Sequence, residues 1–322
     1  MTGSHGRGLP HLAAALDQQG AHDSAPYEEA VRLAERGGLD FVTLGDTFAG
    51  PGPDALAVLS RLALGTRRIG LVPTVATPHT EPFRVPAAVT ALDRVSRGRA
   101  GWHIGVSTTE GGARLSGRRH DAAARLWDSW EDGADSSMKG SSAVPRPPQG
   151  YPVRIVDATE GSARPVAARY ADVALVRVAD PAQAAAVRAE LRSAVREFGR
   201  DPDRLRVLGS LHVDLGGGER AAAPGHGGGG PRQTAQGPLY RGGPVDLAEL
   251  IADWHEAGAV DGFHLTPVEP LRDLERLVNG TVALLQHRGL FRTFYPGSTL
   301  REHLGLARAA NRLGLPDPVW KG

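Results

Sequence analysis

The sequence predicts an α/β protein, a (β/α)8 barrel, on two observations. Segments with a strand pattern and segments with a helix pattern alternate eight times along the 322 residues. Parallel strands need such crossover helices, and a barrel of eight units typically takes about 250 residues. Several predicted strands also end in polar clusters, and ligands of α/β proteins bind at that end of the strands. We therefore expect a single barrel domain over residues 1–322.

The first four units are regular. Apolar runs predict the strands, and apolar residues three and four apart predict the helices between them. Ser24 and Asp54 begin two of the helices, and Gly98 ends a third at a position that favours positive φ. The alanines of the first strand would suit a helix equally well. The predicted strands of this half are 9–16, 39–44, 69–75 and 100–106.

The second half contains two irregular stretches. Residues 132–149 have the composition of a linker, and residues 216–238 are of low complexity. Neither can bury much apolar surface, so we expect both to be flexible loops. Around them, the pattern predicts strands at 152–156, 172–178, 205–213 and 262–266, and helices at 115–131, 181–198 and 246–256.

Composition argues against several functions. The formal net charge of +1 gives no electrostatic reason to expect nucleic acid or an anionic membrane as a partner. The chain has no cysteine, and its twelve histidines show no ligand spacing, so we expect no metal site. No apolar run approaches the roughly 18 residues of a membrane span, and the N-terminus lacks the apolar core of a signal peptide. We therefore expect a cytoplasmic protein.

Polar residues at the ends of three predicted strands are candidate site residues. Asp46 follows the second strand, Thr74 lies near the end of the third, and His103 and Ser107 lie near the end of the fourth. Each has a structural alternative: an aspartate there often caps a turn, and His103 could be a buried histidine bonded to a neighbouring strand. The G-x-G-x-x-G match at 225–230 follows no strand, so we interpret it as a loop.

Residues 157–162 (DATEGS) are a candidate phosphate site. They place small residues, two hydroxyls and backbone N–H groups between a strand and a helix, where the helix dipole favours an anion. An ordinary helix N-cap by Thr159 or Ser162 is the alternative. The candidate ligands are Ala158, Thr159, Glu160, Gly161 and Ser162.

Several stretches carry a family resemblance. They read AERGGLDFVTLGD at 34–46, SRGRAGW at 96–102, LWDSWED at 126–132, PRPPQG at 145–150, AARYAD at 167–172 and DGFHL at 261–265, with a tail at 284–293 and 297–306. Together they resemble the bacterial-luciferase-like flavin-dependent monooxygenases. The most similar branch is that of nitrilotriacetate monooxygenase component A and dibenzothiophene-sulfone monooxygenase.

The resemblance implies a luciferase-like TIM barrel with a C-terminal helical tail. It implies that reduced FMN and O2 oxygenate a small organic substrate, and that a separate NAD(P)H-dependent flavin reductase delivers the flavin. It also allows a homodimer. In this family the segment matching 158–162 binds the flavin phosphate, and the positions of Asp46 and Thr74 adjoin the flavin ring. The family usually has Asn where this chain has His103, and a cationic histidine there would stabilise negative charge on reduced flavin.

Two departures from the family affect the active-site wall. The insertion that separates 126–132 from 145–150 in relatives is shortened here to a Ser/Gly linker, and 216–238 is too degenerate for a packed lid. Both would leave a substrate less well sequestered. Two alternatives therefore stay open: a coenzyme F420-dependent oxidoreductase, since other members of the superfamily use that cofactor, and a degenerate flavin-binding protein without monooxygenase turnover.

Overall fold

Eight parallel strands close into a barrel. The computed structural model describes residues 8–16, 25–45, 54–75, 84–104, 110–129, 146–216 and 230–310. In barrel order the strands are β1 (His11–Ala15), β2 (Phe41–Gly45), β3 (Gly70–Val75), β4 (Gly101–Ile104), β5 (Val153–Asp157), β6 (Val173–Val176), β7 (Arg206–Asp214) and β10 (Gly262–Pro267). Because β10 pairs with both β7 and β1, the sheet is closed. The predicted (β/α)8 barrel is confirmed.

Helices cover the outside of the barrel and bury the apolar faces that the sequence predicts. In α1, the buried residues Tyr27, Ala30, Val31 and Ala34 recur three and four apart. The side chain of Asp54 accepts a hydrogen bond from the backbone N of Ala57 and caps α2. The outer helices are α1 (Ala25–Arg36), α2 (Ala55–Gly65), α3 (Arg84–Val95), α4 (Glu110–Asp128), α5 (Arg164–Tyr170), α6 (Pro181–Glu197), α7 (Pro244–Glu256) and α8 (Pro270–Arg276), which continues through a π-helical stretch (Leu277–Val282) into α9 (Ala283–His287). Among the described residues, none of the helices has the length and apolarity needed to span a membrane.

Parts of the two expected loops are ordered, and there the expectation is wrong. Within 216–238, β8 (Arg232–Thr234) pairs antiparallel with β9 (Gly237–Arg241), and β9 extends the sheet beside the C-terminal half of β7. Within 132–149, the side-chain amide of Gln149 is buried and donates to Asp93 and to the carbonyl of Ala100. Composition missed both because it does not record pairing: β8 pairs with β9 a few residues later, and Gln149 meets Asp93 and Ala100, which are 56 and 49 residues away. Residues 132–145 and 217–229 lie outside the described ranges, so the expectation stays a prediction there.

The lower half of the barrel, at the N-terminal ends of the strands, is filled by apolar side chains. Phe41, Val72 and Leu208 from the strands share one buried cluster with Leu300, the first residue of α10 (Leu300–His303). Glycine makes room for Leu300: a Cβ on Gly70 would lie 2.6 Å from its Cδ1. The C-terminal tail therefore supplies part of the core.

Buried ion pairs hold the tail against this N-terminal end. The guanidinium of Arg301 meets Asp172 at 3.0 Å, and that of Arg292 meets Asp40 at 2.8 Å. Burial alone would raise the pKa of Asp40, but Arg292 and His11 lower it to about 2. The end of the barrel opposite to the candidate site is thus closed by charge pairing and packing.

Candidate functional site

A layer of polar side chains faces the barrel interior at the C-terminal mouth, by which we mean the end of the barrel where the strands end. Alternate strand residues point to the same side, so a residue two positions after an inward apolar residue also points inward. By this relation Thr43 follows Phe41, and Thr74 follows Val72. The same relation places Asp157 and Ser210 inward. Hydrogen bonds to this layer place His103 and His264 inward as well. Arg177, just beyond the end of β6, falls in the same register.

His103 is the central predicted residue of this layer. Its Nδ1 lies 3.1 Å from the hydroxyl of Thr74 on the neighbouring strand. Its Nε2 is shielded from solvent and has no hydrogen-bond partner among the described residues. The preceding residue, Trp102, points outward and packs edge-on against Trp127 at 6.1 Å. Trp102 and His103 therefore lie on opposite faces of β4, and the bond to Thr74 matches the alternative of a buried histidine bonded to a neighbouring strand, so the role of His103 as a site residue stays a prediction.

The expected positive charge on His103 is wrong. Burial lowers the pKa of His103 to about 4; nearby Asp157 opposes this shift and Arg177 adds to it. The imidazole is therefore neutral at pH 7, with one nitrogen as donor and the other as acceptor. The expectation of a cationic histidine rested on the unperturbed pKa of about 6.5. Desolvation, which depends on the tertiary fold, overrides it.

A second imidazole, His264, faces His103 from the other side of the barrel, because β4 and β10 lie four strands apart in the closed sheet. Its Nε2 lies 2.9 Å from the hydroxyl of Thr43, and its Nδ1 lies 3.4 Å from that of Ser210. Burial lowers its pKa to about 3, with a further contribution from His103. His103 and His264 are thus neutral, and a third imidazole of the mouth, that of His212, has its Nε2 3.2 Å from the carbonyl oxygen of Gln236.

An ion pair lies beside the imidazoles. The guanidinium of Arg177 meets the carboxylate of Asp157 at 2.7 Å, and about half of the Arg177 side chain is exposed. The backbone N of Arg177 also donates to the hydroxyl of Thr159 at 3.0 Å. The end of β5, the end of β6 and the loop after β5 are therefore linked at the mouth.

The candidate phosphate segment has a mixed geometry. Thr159 lies next to the mouth, where its backbone N donates to Asp157. Ala158 is fully buried, so it can offer a ligand only its backbone, whereas Glu160 and Gly161 are exposed. A short 3₁₀ helix (Gly161–Ala163) precedes α5, which has only 7 residues. A strong helix dipole is therefore missing, and phosphate binding by this segment stays a prediction.

Comparison with known proteins places the chain in a family. The model of the family described as luciferase-like monooxygenase matches residues 9–226, more than half of the chain. The chain belongs to the luciferase-like monooxygenase family.

Relatives within the family support the branch that the sequence motifs indicate. N-acetyl-S-(2-succino)cysteine monooxygenase of Bacillus subtilis (strain 168) is 27% identical, over 89% of this chain and 90% of the relative. Nitrilotriacetate monooxygenase component A of Aminobacter aminovorans is 28% identical, over 92% and 93%. Dibenzothiophene-sulfone monooxygenase of Rhodococcus erythropolis is 23% identical, over 87% and 89%. The resemblance to this branch is confirmed.

Solved structures share the fold. EDTA monooxygenase (EmoA) from Chelativorans sp. BNC1 superposes with a TM-score of 0.76 at 20% identity, covering 93% of this chain and 99% of that one. Long-chain alkane monooxygenase (LadA) superposes with a TM-score of 0.77 at 17% identity, covering 93% and 96%. At these identities, the likeness concerns the luciferase-like barrel alone.

The structure brings some predicted site residues of this family member together and leaves others untested. Thr74 and His103 are hydrogen-bonded, and Thr159 lies at the same mouth. Asp46 and Ser107 lie outside the described residues. Within the described ranges, no group of three His, Cys, Asp or Glu side chains could hold a metal ion.

Sequence reasoning missed His264 and Arg177 as site residues. His264 was noticed only as part of the DGFHL motif, and Arg177 only as part of a strand. Strand alternation could have found both, because each is a polar residue at an inward position, His264 within its strand and Arg177 just past the end of its strand. That their neighbours are His103 and Asp157 could not be read from the sequence.

Proposed function

We propose that the protein is a flavin-dependent monooxygenase that binds reduced FMN in the C-terminal mouth and uses O2 to oxygenate a small organic substrate. The observation that carries the proposal is the shielded Nε2 of His103, which has no partner among the described residues and lies in a polar layer of a luciferase-like barrel. When bound, reduced flavin supplies the electrons that activate O2. The protein binds and orients the ring and keeps water away from it.

The residues of the mouth fit a flavin edge. A buried polar atom without a partner costs about 1–3 kcal/mol, so a ligand that bonds to the Nε2 of His103 would recover free energy. The ring edge of a flavin carries both carbonyl oxygens and N–H groups. A neutral imidazole can meet either kind, and the hydroxyl of Thr74 decides which. If that hydroxyl donates to Nδ1, Nε2 carries the proton and is a donor; if it accepts, Nε2 is an acceptor.

We further propose a two-component system, in which a separate NAD(P)H-dependent reductase delivers reduced FMN. The relative named nitrilotriacetate monooxygenase component A supports this, since its name describes one part of a larger system. So does the sequence, in which the only G-x-G-x-x-G match follows no predicted strand. The substrates in the names of relatives are diverse, from nitrilotriacetate to dibenzothiophene sulfone, and support only the class of small organic molecules.

Anaerobic titration with reduced FMN and with reduced F420 tests the proposal. We expect saturable binding of reduced FMN and much weaker binding of F420. On admission of air, bound reduced FMN should be reoxidised with release of H2O2 at a rate that differs from the rate measured for free reduced FMN, which O2 also oxidises. Tighter binding of F420 would instead support the deazaflavin-dependent alternative. FMN binding with reoxidation in air no different from that of free reduced FMN would support a degenerate flavin-binding protein.

Variants locate the flavin. His103→Leu removes the bond to Nε2 and should weaken reduced FMN about 10-fold or more, whereas His103→Asn restores the residue usual in the family and should keep binding. His287→Leu, an exposed histidine in α9, is the matched control. Ser162→Asp should abolish FMN binding by charge repulsion if residues 158–162 hold the phosphate. Equal affinities in all four variants would place the flavin elsewhere.

A further inference from the structure

Arg177 is a cation of the mouth that lies in register with the inward residues of β6. It follows Leu175, an inward residue of the barrel cluster, by two positions, and its side chain is 50% exposed. The buried imidazoles of His103 and His264 are neutral at pH 7 because burial lowers the pKa of each, and a third imidazole, that of His212, has its Nε2 3.2 Å from the carbonyl oxygen of Gln236. An arginine stays protonated at any physiological pH. Positive charge in this part of the mouth therefore comes from Arg177 and not from His103.

Three elements fix the position of the Arg177 side chain. The carboxylate of Asp157 at the end of β5 meets one guanidinium nitrogen at 2.7 Å. The backbone N of Arg177 is held by the hydroxyl of Thr159. The hairpin of β8 and β9 lies beside the aliphatic stem: a Cβ on Gly237 would lie 3.6 Å from the Cδ of Arg177 and 3.8 Å from the Cδ2 of His212. A side chain held in this way loses little conformational entropy when it binds a ligand.

The guanidinium keeps donors available. It has five N–H donors in a fixed plane, and the ion pair with Asp157 uses one of its nitrogens. No other hydrogen-bond partner of this guanidinium occurs among the described residues. Its partner Asp157 lies two residues after Ile155, the register partner of His103 on the neighbouring strand, so the guanidinium lies on the C-terminal side of His103 at the mouth. A ligand that contacts the Nε2 of His103 could reach it with a second group.

We propose that Arg177 binds an oxyanion, either a phosphate or a carboxylate, of the molecule that enters the mouth. Planar guanidinium groups bind both kinds of anion through paired N–H···O bonds. The choice of ligand rests on the proposed function: the phosphate would belong to reduced FMN, and the carboxylate to the organic substrate. Asp157 holds the guanidinium in place but neutralises part of its charge, so the anion competes with a carboxylate that is already bound.

The experiment compares ligands that differ only in the anionic group. Reduced FMN is titrated against reduced riboflavin, which lacks the phosphate, and succinate against succinamide, which lacks the charges. Each ligand is measured with the wild type, Arg177→Gln and Arg177→Lys. The control is Arg61→Gln, because Arg61 forms a similarly exposed ion pair with Glu28 at 3.1 Å on the outer helices.

We expect Arg177→Gln to weaken one anionic ligand about 10- to 100-fold, with an intermediate effect of Arg177→Lys and none of Arg61→Gln. A loss confined to FMN identifies the phosphate, and a loss confined to succinate identifies the carboxylate. Equal losses for the charged and uncharged member of each pair, or no loss for any ligand, would overturn the proposal. Wild-type protein that binds neither flavin would refute the proposed function, while the succinate pair would still test Arg177.

Discussion

The two ends of the barrel differ in the side chains that fill them. At the N-terminal end, guanidinium groups of the tail meet buried carboxylates, as in the pair of Arg301 with Asp172, and Leu300 fills the space between the strands. At the C-terminal mouth, the inward side chains are mostly neutral hydroxyls and imidazoles, and one shielded nitrogen, Nε2 of His103, has no partner among the described residues. The comparison teaches that charge and volume close one end, while neutral polar side chains line the other.

The largest loss in the free energy of unfolding should come from a change at the N-terminal end of the barrel. Leu300→Ala removes a fully buried side chain from the barrel interior and should lower the free energy of unfolding by about 2–5 kcal/mol. Urea denaturation measures this, with Leu290→Ala as the control, because Leu290 is 38% exposed. The affinity of the folded protein for ligands of the mouth should not change. A loss no larger than that of Leu290→Ala would show that the tail does not close the barrel.

The second largest loss in the free energy of unfolding should come from the ion pair of Arg301 with Asp172 at the same end. Arg301→Leu leaves Arg154, with its Nε at 3.5 Å, as the one cationic partner of the buried Asp172 carboxylate among the described residues, and should cost about 3 kcal/mol. In the wild type, burial would raise the pKa of Asp172, but Arg301 and Arg154 hold it well below its usual range. The double variant Arg301→Leu with Asp172→Asn removes both charges and should recover part of the loss. A double-mutant cycle without coupling would contradict the pairing.

The smallest effect concerns the mouth and depends on pH. His103 has a pKa of about 4 when folded and about 6.5 when unfolded, so between these values the unfolded chain binds a proton that the folded protein does not. The neutral, buried His103 therefore costs no stability above pH 6.5, and the free energy of unfolding decreases as the pH falls from 6.5 towards 4. His103→Asn should therefore lessen the acid destabilisation at pH 5.5 by about 1 kcal/mol.

Urea denaturation at pH 7.5 and pH 5.5 measures this difference. His287→Asn, at an exposed position, serves as the control and should leave the pH dependence as it is in the wild type. An unchanged acid loss in His103→Asn would mean that His103 already titrates normally. In that case His103 would carry a positive charge at pH 5.5.

Much of the barrel was predictable because its signals are local. Gly98 has the expected positive φ of +88°, although Arg97 before it also takes a positive φ of +59° at the end of the same helix. Asp54 caps its helix because a carboxylate bonds a backbone N–H three residues away. The inward direction of His103 follows from strand alternation alone. Each inference needed only residues that are neighbours along the chain.

The sequence by itself determined the alternating strands and helices, the family, and which strand ends carry polar residues. Only the tertiary structure decided that His103 is neutral, that Leu300 occupies the space left by Gly70, and that Arg177 meets Asp157 beside two imidazoles. The physical reason is that desolvation, packing and ion pairing depend on groups far apart in the chain. Arg301 and Asp172 are 129 residues apart, and folding alone brings them to 3.0 Å.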